Sequence, residues 1–262
     1  MSRRDLLAAA SLGATTHPGL WLDRYVQDFG KPAADHLLPL FPPTGEKIRP
    51  PASKVPDGYP EFQLRLEQEL KTLPPTTLLA EATCQGRMAV GLGGETVLET
   101  AITLHHTWGV PFIPGSALKG LTARAARQKL ESPWPPDSLE YRLLFGELEN
   151  AGHVTFHDAL WKPFRNGAPL PNLPLMQDVM TVHHPDYYGW AGSDEPPPPA
   201  DWDDPTPVPF VTAHGTYLLA LTGPPGWVEV AFNILKGALE HDGIGAKTAA
   251  GYGRMTVKRS TP

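Results

Sequence analysis

The chain has little of what several protein classes require. It contains one cysteine, Cys84, among 262 residues, which excludes an intramolecular disulfide framework and any zinc site built from several cysteines. No apolar run is long enough to cross a bilayer as a helix. Acids outnumber lysines and arginines by 28 to 22, a formal net charge of −6, so the whole chain does not attract nucleic acid. We therefore expect a protein of a reducing compartment, the cytoplasm, without a membrane partner.

The charge that is present is unevenly distributed. Lys119 to Lys129 holds four cations and no acid, and no carboxylate follows Asp242, where Lys247 and Arg254 lie. The acids gather instead between positions 186 and 204. Two basic segments could therefore meet a polyanion locally, although the chain as a whole is acidic.

A glycine-rich stretch, Gly243 to Arg254, is the most informative motif. Its four glycines let a backbone adopt positive φ and expose N–H groups to an anion. A Walker loop is excluded because Ala246 separates Gly245 from Lys247 and because a helical pattern precedes the stretch. A dinucleotide fingerprint is excluded because no G-x-G-x-x-G follows a strand. A plain helix-to-strand connection with Gly243 as its C-cap stays open beside a phosphate-binding loop.

Residues 1–75 predict an N-terminal extension that packs on a core. Helical patterning covers 1–28, a proline-rich irregular excursion covers 30–58, and Glu61 to Lys71 predicts a short helix. Arg3-Arg4 imitates a twin-arginine export signal, but the apolar stretch behind it is short. We expect this segment to be retained, with export as the alternative.

Residues 76–258 predict a core of the α+β class. Strand patterns over 77–84, 152–159, 210–213 with 216–221, and 254–258 alternate with two helical patterns, one starting at Ser116 as its N-cap and one after Pro224-Pro225. The resulting order, βαββαβ, is the ferredoxin-like unit that RNA-recognition (RRM) domains share. A long proline-rich insertion over 163–209 interrupts it, and such insertions are usually functional.

Histidines and aromatics offer two further hypotheses. His153, His157 and Asp158 would support a metal phosphohydrolase if that segment is extended, although no fourth ligand is fixed by the sequence. Tyr187 and Tyr188, in the insertion, would stack on exposed bases or anchor the insertion to its own domain or to a partner protein.

Two motifs carry a resemblance to a known family. Phe112 to Gly120 and Gly243 to Gly253, in that order, closely resemble the two signatures of the RAMP superfamily of CRISPR proteins. The segments between them, including Asp178 to Tyr188, are similar in arrangement to the sixth-numbered RAMP subunit of the type III-B (Cmr) effector complex. The chain departs from the pattern at Ala117, where a second serine is common, and at Arg124, to which a basic residue is displaced.

The resemblance implies a non-catalytic, backbone-type subunit that helps to hold the 3′ part of a guide RNA and its target RNA in an antiviral ribonucleoprotein. Its expected partners are guide CRISPR RNA, target RNA and other protein subunits, and it needs no metal or other cofactor. The residues expected to contact RNA are Ser116, Lys119, Arg124, Gly243, Gly245, Lys247, Thr248, Gly251 and Arg254. Those expected to contact RNA or a partner are His183, His184, Tyr187 and Tyr188. The alternative is a RAMP-type, metal-independent RNA-processing endonuclease with His183 or His184 as general acid or base.

Overall fold

A computed structural model describes residues 16–24, 54–94 and 100–260. Most of the expected N-terminal helix and most of the proline-rich excursion lie outside these residues. The described part of the predicted helix is helical over Pro18–Arg24 (α1). The ring of His17 precedes it and accepts the N–H of Leu20 through Nδ1 at 3.2 Å.

A four-stranded sheet forms the centre of the molecule. Its strands lie in the order β10-β1-β9-β3, and every neighbouring pair is antiparallel. The strands are β1 (Thr77–Cys84), β3 (Thr155–Phe156), β9 (Thr216–Thr222) and β10 (Met255–Arg259). The predicted strands at 77–84, 216–221 and 254–258 are confirmed, with ends that shift by one residue.

Two helices cover one face of this sheet. They are α3 (Gly115–Gln128) and α6 (Pro225–His241), and they also pack on each other. Side chains alternate along a strand, so Leu78, Ala80 and Ala82 of β1 join the core beneath the helices. The mixed α/β class with an antiparallel sheet is confirmed. Val230, which the helical pattern placed on the apolar stripe of α6, is exposed.

A third helix covers the middle of the opposite face. The predicted helix at 61–71 is confirmed as α2 (Tyr59–Thr72). Its Leu66 and Leu70 form a second apolar cluster with sheet residues Leu79, Leu218 and Ala220. Beside the cluster, Lys162 Nζ binds Glu81 Oε1 at 2.6 Å and Glu67 Oε2 at 3.2 Å. Both faces of the sheet are therefore occupied.

The strand predicted over 152–159 is wrong as a single element. The chain forms β3 and then β4 (Ala159–Leu160), which pairs with β2 (Phe112–Ile113) in a separate two-stranded sheet. Between them the Asp158 Oδ1 accepts the N–H of Gly115 at 2.7 Å, and this long-range contact breaks the strand. The pattern also missed α4 (Leu139–Phe145), whose N-cap Ser138 accepts the N–H of Tyr141.

The insertion over 163–209 contains regular structure that its prolines hid. It holds the short strands β5 (Phe164–Arg165) and β6 (Ala168–Pro169) and, beyond them, β7 (Leu175–Val182) and a helical turn, α5 (Pro185–Tyr188). Strand β7 pairs with β8 (Thr206–Ala213) in register from Leu175↔Ala213 to Val182↔Thr206. We call residues 175–213 the arm and residues 183–205 the tip loop. Strand β8 therefore starts at 206, not at 210 as predicted.

Within the described ranges, no helix is both long and apolar enough to cross a membrane.

Candidate nucleic-acid interface

The glycine loop, residues 243–254, joins α6 to β10 through a series of left-handed backbone positions. Gly243, Gly245, Gly251 and Gly253 all have positive φ, between 75° and 92°. Lys247 is also left-handed, with φ 58° and ψ 31°, and it starts a 3₁₀ turn over Thr248–Ala250. A left-handed residue followed by right-handed ones turns successive N–H groups toward one side, the geometry of an anion-binding nest.

Most of the loop's N–H groups are bound to its own scaffold. Gly243 N–H donates to Ala238 O at 3.0 Å, Ala246 N–H to Ala89 O at 2.7 Å and Gly253 N–H to Arg87 O at 2.8 Å. The first residues of a helical turn have no partner within it. In the described part of the chain, the N–H groups of the segment 247–249 make no hydrogen bond. These groups are available to an anion.

The glycines divide into two kinds. A Cβ on Gly253 would overlap Ile244 O, and one on Gly245 would overlap Ala89 O, so these positions need glycine for close backbone packing. Gly243, one of the residues expected to contact RNA, is buried; its left-handed φ and its N–H bond to Ala238 O fit the alternative that the sequence left open, a glycine that ends α6. Gly251 alone of the four has no atom within 4 Å of an added Cβ, so the loop is open there.

Two cations lie on the open side of the loop. Lys247 and Arg254 are exposed, and neither forms an ion pair with any residue that the structure describes. Thr248, between them in the chain, is partly buried. The loop thus combines unused N–H donors with two free positive charges and no carboxylate of its own. That combination suits a phosphate.

The start of α3, within the motif Phe112 to Gly120, differs from the prediction in its N-cap. Ser116 is not the N-cap of α3, because the helix starts at Gly115 with Pro114 before it and shows no side-chain cap from its own segment. The carboxylate of Asp158 binds the Gly115 N–H instead. The helix N-terminus is therefore already occupied by a negative charge. Ser116 is exposed in the first turn.

The two cations predicted on α3 lie on its solvent side. Lys119 and Arg124 are exposed, and Arg124 Nε donates to Gln128 Oε1 at 3.3 Å. Both are among the residues expected to contact RNA, together with residues of the glycine loop. Lys129, just past α3, pairs with Asp242, just before the loop, at 3.6 Å. At a rise of about 1.5 Å per residue, Lys119 lies roughly 15 Å from Lys129 along the axis of α3.

Lys119 therefore cannot share a phosphate with a group at the Asp242 end of the helix. Phosphates along a duplex strand are about 3.4 Å apart in the axial direction, so the separation matches roughly four to five nucleotides. The sheet face opposite α3 and α6 offers no stacking platform of the RNA-recognition type, because Leu66 and Leu70 of α2 cover its middle. The candidate interface is a backbone track and not a base-reading sheet.

The tip loop holds the residues predicted to contact RNA or a partner. His183 is exposed, whereas His184 is partly buried and its Nδ1 lies 2.8 Å from Asp203 Oδ2. The backbone N–H of Ala200 also binds Asp203, and this bond, together with the His184 contact, lowers the pKa of the Asp203 carboxyl. Tyr187 and Tyr188 pack edge to face at 5.4 Å between ring centres.

Four aromatic side chains of the tip loop are exposed, Trp202 by 86% and Tyr188 by 74%. The same loop contains six acids and no lysine or arginine. Its field repels phosphate, so the aromatics stand in the wrong electrostatic surroundings for an RNA strand. The six acids are Asp186, Asp194, Glu195, Asp201, Asp203 and Asp204.

The histidines considered as metal ligands serve other contacts. His157 Nε2 lies 2.9 Å from Thr222 Oγ1, and burial lowers the pKa of His157 despite the opposing effect of Asp158. His153 packs beside Trp227. Among the described residues, no three histidine, cysteine or acidic side chains form a group that could hold a metal ion.

One contact network at the loop was missed by sequence analysis. Asp178 of β7 binds Arg87 and the hydroxyl of Tyr252. Partial burial raises the pKa of the Asp178 carboxyl, but the bonds from Tyr252, the Val179 N–H and Arg87 outweigh it, and the pKa is lowered. The three side chains come from distant parts of the chain, so no local pattern could have connected them.

Two comparisons with known proteins point to the same family. The model of the RAMP superfamily matches residues 81–256. The chain is 31% identical over 226 residues to the CRISPR system Cmr subunit Cmr6 of Pyrococcus furiosus, a match that covers 65% of this chain and 65% of the relative. The chain thus spans about two thirds of that relative's length.

Two solved structures are also similar. One is the cryo-EM structure of the type III-B Cmr-beta bound to cognate target RNA, with a TM-score of 0.56 and 21% identity, covering 79% of this chain and 67% of the other. It shows a shared fold. The other is the crystal structure of Cmr6 from Pyrococcus furiosus, with 30% identity and a TM-score of 0.42, covering 69% of this chain and 96% of the other.

Proposed function

The chain belongs to the RAMP superfamily, and we propose that it is a non-catalytic, RNA-binding subunit of a type III-B CRISPR interference complex. In this role it helps to hold the 3′ part of a guide RNA and its target RNA during antiviral defence in the cytoplasm. The similarity to a Cmr6 subunit supports the assignment to such a complex. The target RNA named for the Cmr-beta structure supports RNA as the ligand.

The glycine loop is the observation that carries the proposal. Its segment 247–249 offers unused N–H groups beside the exposed cations Lys247 and Arg254. None of these groups reads a base, so the loop suits a sugar–phosphate chain of any sequence. Sequence would be read by guide–target pairing, with the protein following backbone and shape.

We assign the core to the ferredoxin-like fold on its strand order. Numbered within the core, the sheet order β10-β1-β9-β3 is 4-1-3-2, and helices α3 and α6 form the two crossovers. The RRM-like use of such a sheet does not follow, because α2 covers the face on which bases would stack. RNA would therefore run along the loop side of α6 and the exposed side of α3.

We assign the tip loop to a protein partner within the complex. Exposed aromatics with a surrounding negative charge fit a basic protein surface better than a phosphate chain. On this assignment His183, His184, Tyr187 and Tyr188 contact a neighbouring subunit.

The test is a salt titration of guide-RNA binding in the reconstituted complex. Combined Lys119→Ala and Lys247→Ala should weaken binding and reduce the slope of log K against log salt by about 0.7 per lost contact. Lys71→Ala is the matched control, because it removes one exposed charge on α2, where Lys71 pairs with Glu67. An unchanged affinity and slope in the double variant would contradict the proposal.

One observation favours the alternative of an RNA-processing endonuclease. The contact between His184 and Asp203 is the arrangement in which a carboxylate orients a histidine for proton transfer. Purified protein incubated with repeat RNA distinguishes the two functions. Specific cleavage that disappears in the His183→Ala, His184→Ala variant would replace the non-catalytic assignment.

A further inference from the structure

We infer that Asp178 is a positioning residue that fixes the arm against the glycine loop, so that the loop presents its RNA-facing groups on a rigid surface and the tip loop is held in one direction. The inference rests on the proposed RNA-binding function of the loop. It assigns to Asp178 no contact with RNA.

The side chain of Asp178 is fully engaged. Its Oδ2 accepts from Arg87 Nη1 at 2.7 Å and from the Tyr252 hydroxyl at 2.7 Å, and its Oδ1 accepts the Val179 N–H at 2.9 Å. The same Arg87 Nη1 donates to Gln177 O at 3.0 Å. The carboxylate is 23% exposed, and hydrogen bonds to a charged group that is partly withdrawn from water are among the stronger ones.

Both partners of Asp178 are anchored in the glycine loop. Tyr252 is a member of the loop. The carbonyl of Arg87 accepts the Gly253 N–H at 2.8 Å, and the N–H of Gln85 donates to Arg254 O at 2.9 Å. The network therefore joins the arm to the loop and to the segment beneath it.

Tyr252 also contacts the second strand of the arm. Asp178 and Phe210 are directly opposite each other in the β7–β8 register. The Tyr252 hydroxyl binds the first of them, and its ring lies 6.0 Å from the ring of the second. One loop side chain thus holds both strands at a single register position.

The distance of the Asp178↔Phe210 pair from the root of the arm shows which property of the arm the network controls. The arm is attached to the core at its root, where Met88 and Ala213 exchange backbone hydrogen bonds. Asp178↔Phe210 lies three pairs beyond the root pair Leu175↔Ala213, about 10 Å along a strand. A two-stranded ribbon is a marginal structure by itself, so a contact at this distance sets the direction of the arm and not its attachment.

The test uses the guide-RNA affinity and its salt dependence in the reconstituted complex. Asp178→Asn removes a negative charge, so an electrostatic effect alone predicts tighter binding. Positioning predicts the opposite: affinity should fall about fivefold or more, with an unchanged salt slope because no phosphate contact is lost. Tyr252→Phe, which removes one hydroxyl and no charge, should act in the same direction with a smaller effect.

Glu69→Gln is the matched control. It removes one negative charge at an exposed position of α2, outside the arm and the glycine loop, and should bind RNA at least as well as the parent. Hydrogen exchange of the free protein gives a readout without RNA: the amides of β7 and β8 should exchange faster in Asp178→Asn and not in Glu69→Gln.

Lys247→Ala separates this inference from the proposed function. If Lys247→Ala weakens binding and reduces the salt slope while Asp178→Asn binds as tightly as Glu69→Gln, the positioning role is overturned and the function stands. If Lys247→Ala changes neither affinity nor slope, the RNA-binding function fails and the inference fails with it.

Discussion

Two glycines of the same loop should respond very differently to one methyl group. Gly253 and Gly251 both have positive φ, but a Cβ on the first would overlap Ile244 O, whereas a Cβ on the second meets no atom within 4 Å. Gly251→Ala should therefore cost about 1 kcal/mol of unfolding free energy, from the left-handed backbone alone. Gly253→Ala should cost about 1–3 kcal/mol more, because the loop must move to accept it.

Urea denaturation of the two variants measures this difference directly. Each substitution adds the same atoms to the same loop, so each serves as the control for the other. Equal losses of unfolding free energy would mean that the loop is loose at Gly253, contrary to its contacts with Ile244 and Arg87.

Single residues also show where sequence reasoning stops. A role for Gly243 in ending α6 was one of two alternatives that the sequence left open, and Gly243 takes that role through its own backbone. Ser116 was expected to cap α3, but the cap on the Gly115 N–H comes from Asp158, 43 positions beyond Gly115 in the chain. A local motif can show that a helix ends at a residue through that residue's own backbone. It cannot show a cap from a residue far along the chain, and such a cap leaves the N-cap position free to be proline.

Helix α2 packs on the sheet through one of its sides only, and substitutions on the two sides of the helix test this. Leu70 is buried against Leu79, Leu218 and Ala220, whereas Leu64 is 48% exposed. Leu70→Ala should lower the unfolding free energy by about 2–4 kcal/mol, from lost transfer free energy and the cavity left behind.

Leu64→Ala is the matched control and should stay within about 0.5 kcal/mol of the parent, because an exposed leucine loses little by truncation. Thermal or urea unfolding of both variants measures the two changes. If Leu70→Ala were as mild as Leu64→Ala, α2 would not be packed on the sheet and its face would be open to RNA bases.

The elements that sequence analysis found and missed differ in their surroundings. Strand β1 and helix α6 were predicted because both are buried and their periodicity is strong. Strand β8 was found only from 210 onward, because Pro207 and Pro209 argue against a strand. Both prolines lie in a two-stranded ribbon, where each strand has a free edge and alternate N–H groups are not needed for pairing.

The net negative charge of the whole chain equals the charge of one segment, the tip loop. The tip loop contains six of the 28 acids and none of the 22 basic residues, so the rest of the chain has 22 of each and no net charge. Every hydrogen bond and ion pair that the structure describes for the tip loop joins two of its own residues. The acidic loop is therefore a separate unit at the end of the arm.

Replacing residues 183–205 by Asn-Gly should leave the core folded and should not weaken RNA binding. Val182↔Thr206 is the last pair of the register, and Asn-Gly is a favoured two-residue turn between directly opposed residues. Removing the acidic loop should tighten guide-RNA binding at low salt, and the gain should disappear at high salt as charges are screened. Copurification should show the loss of the protein subunit that the tip loop contacts.

Tyr188→Ala with Trp202→Ala separates the aromatic contribution from that of charge. This variant keeps all six acids and loses the two most exposed rings of the tip loop. We expect it to lose the same subunit while its RNA affinity stays equal to that of the parent at every salt concentration. Base stacking is worth about 1–3 kcal/mol per base, so a tenfold loss of RNA affinity in this variant would show that the tip loop stacks on RNA and does not dock a protein.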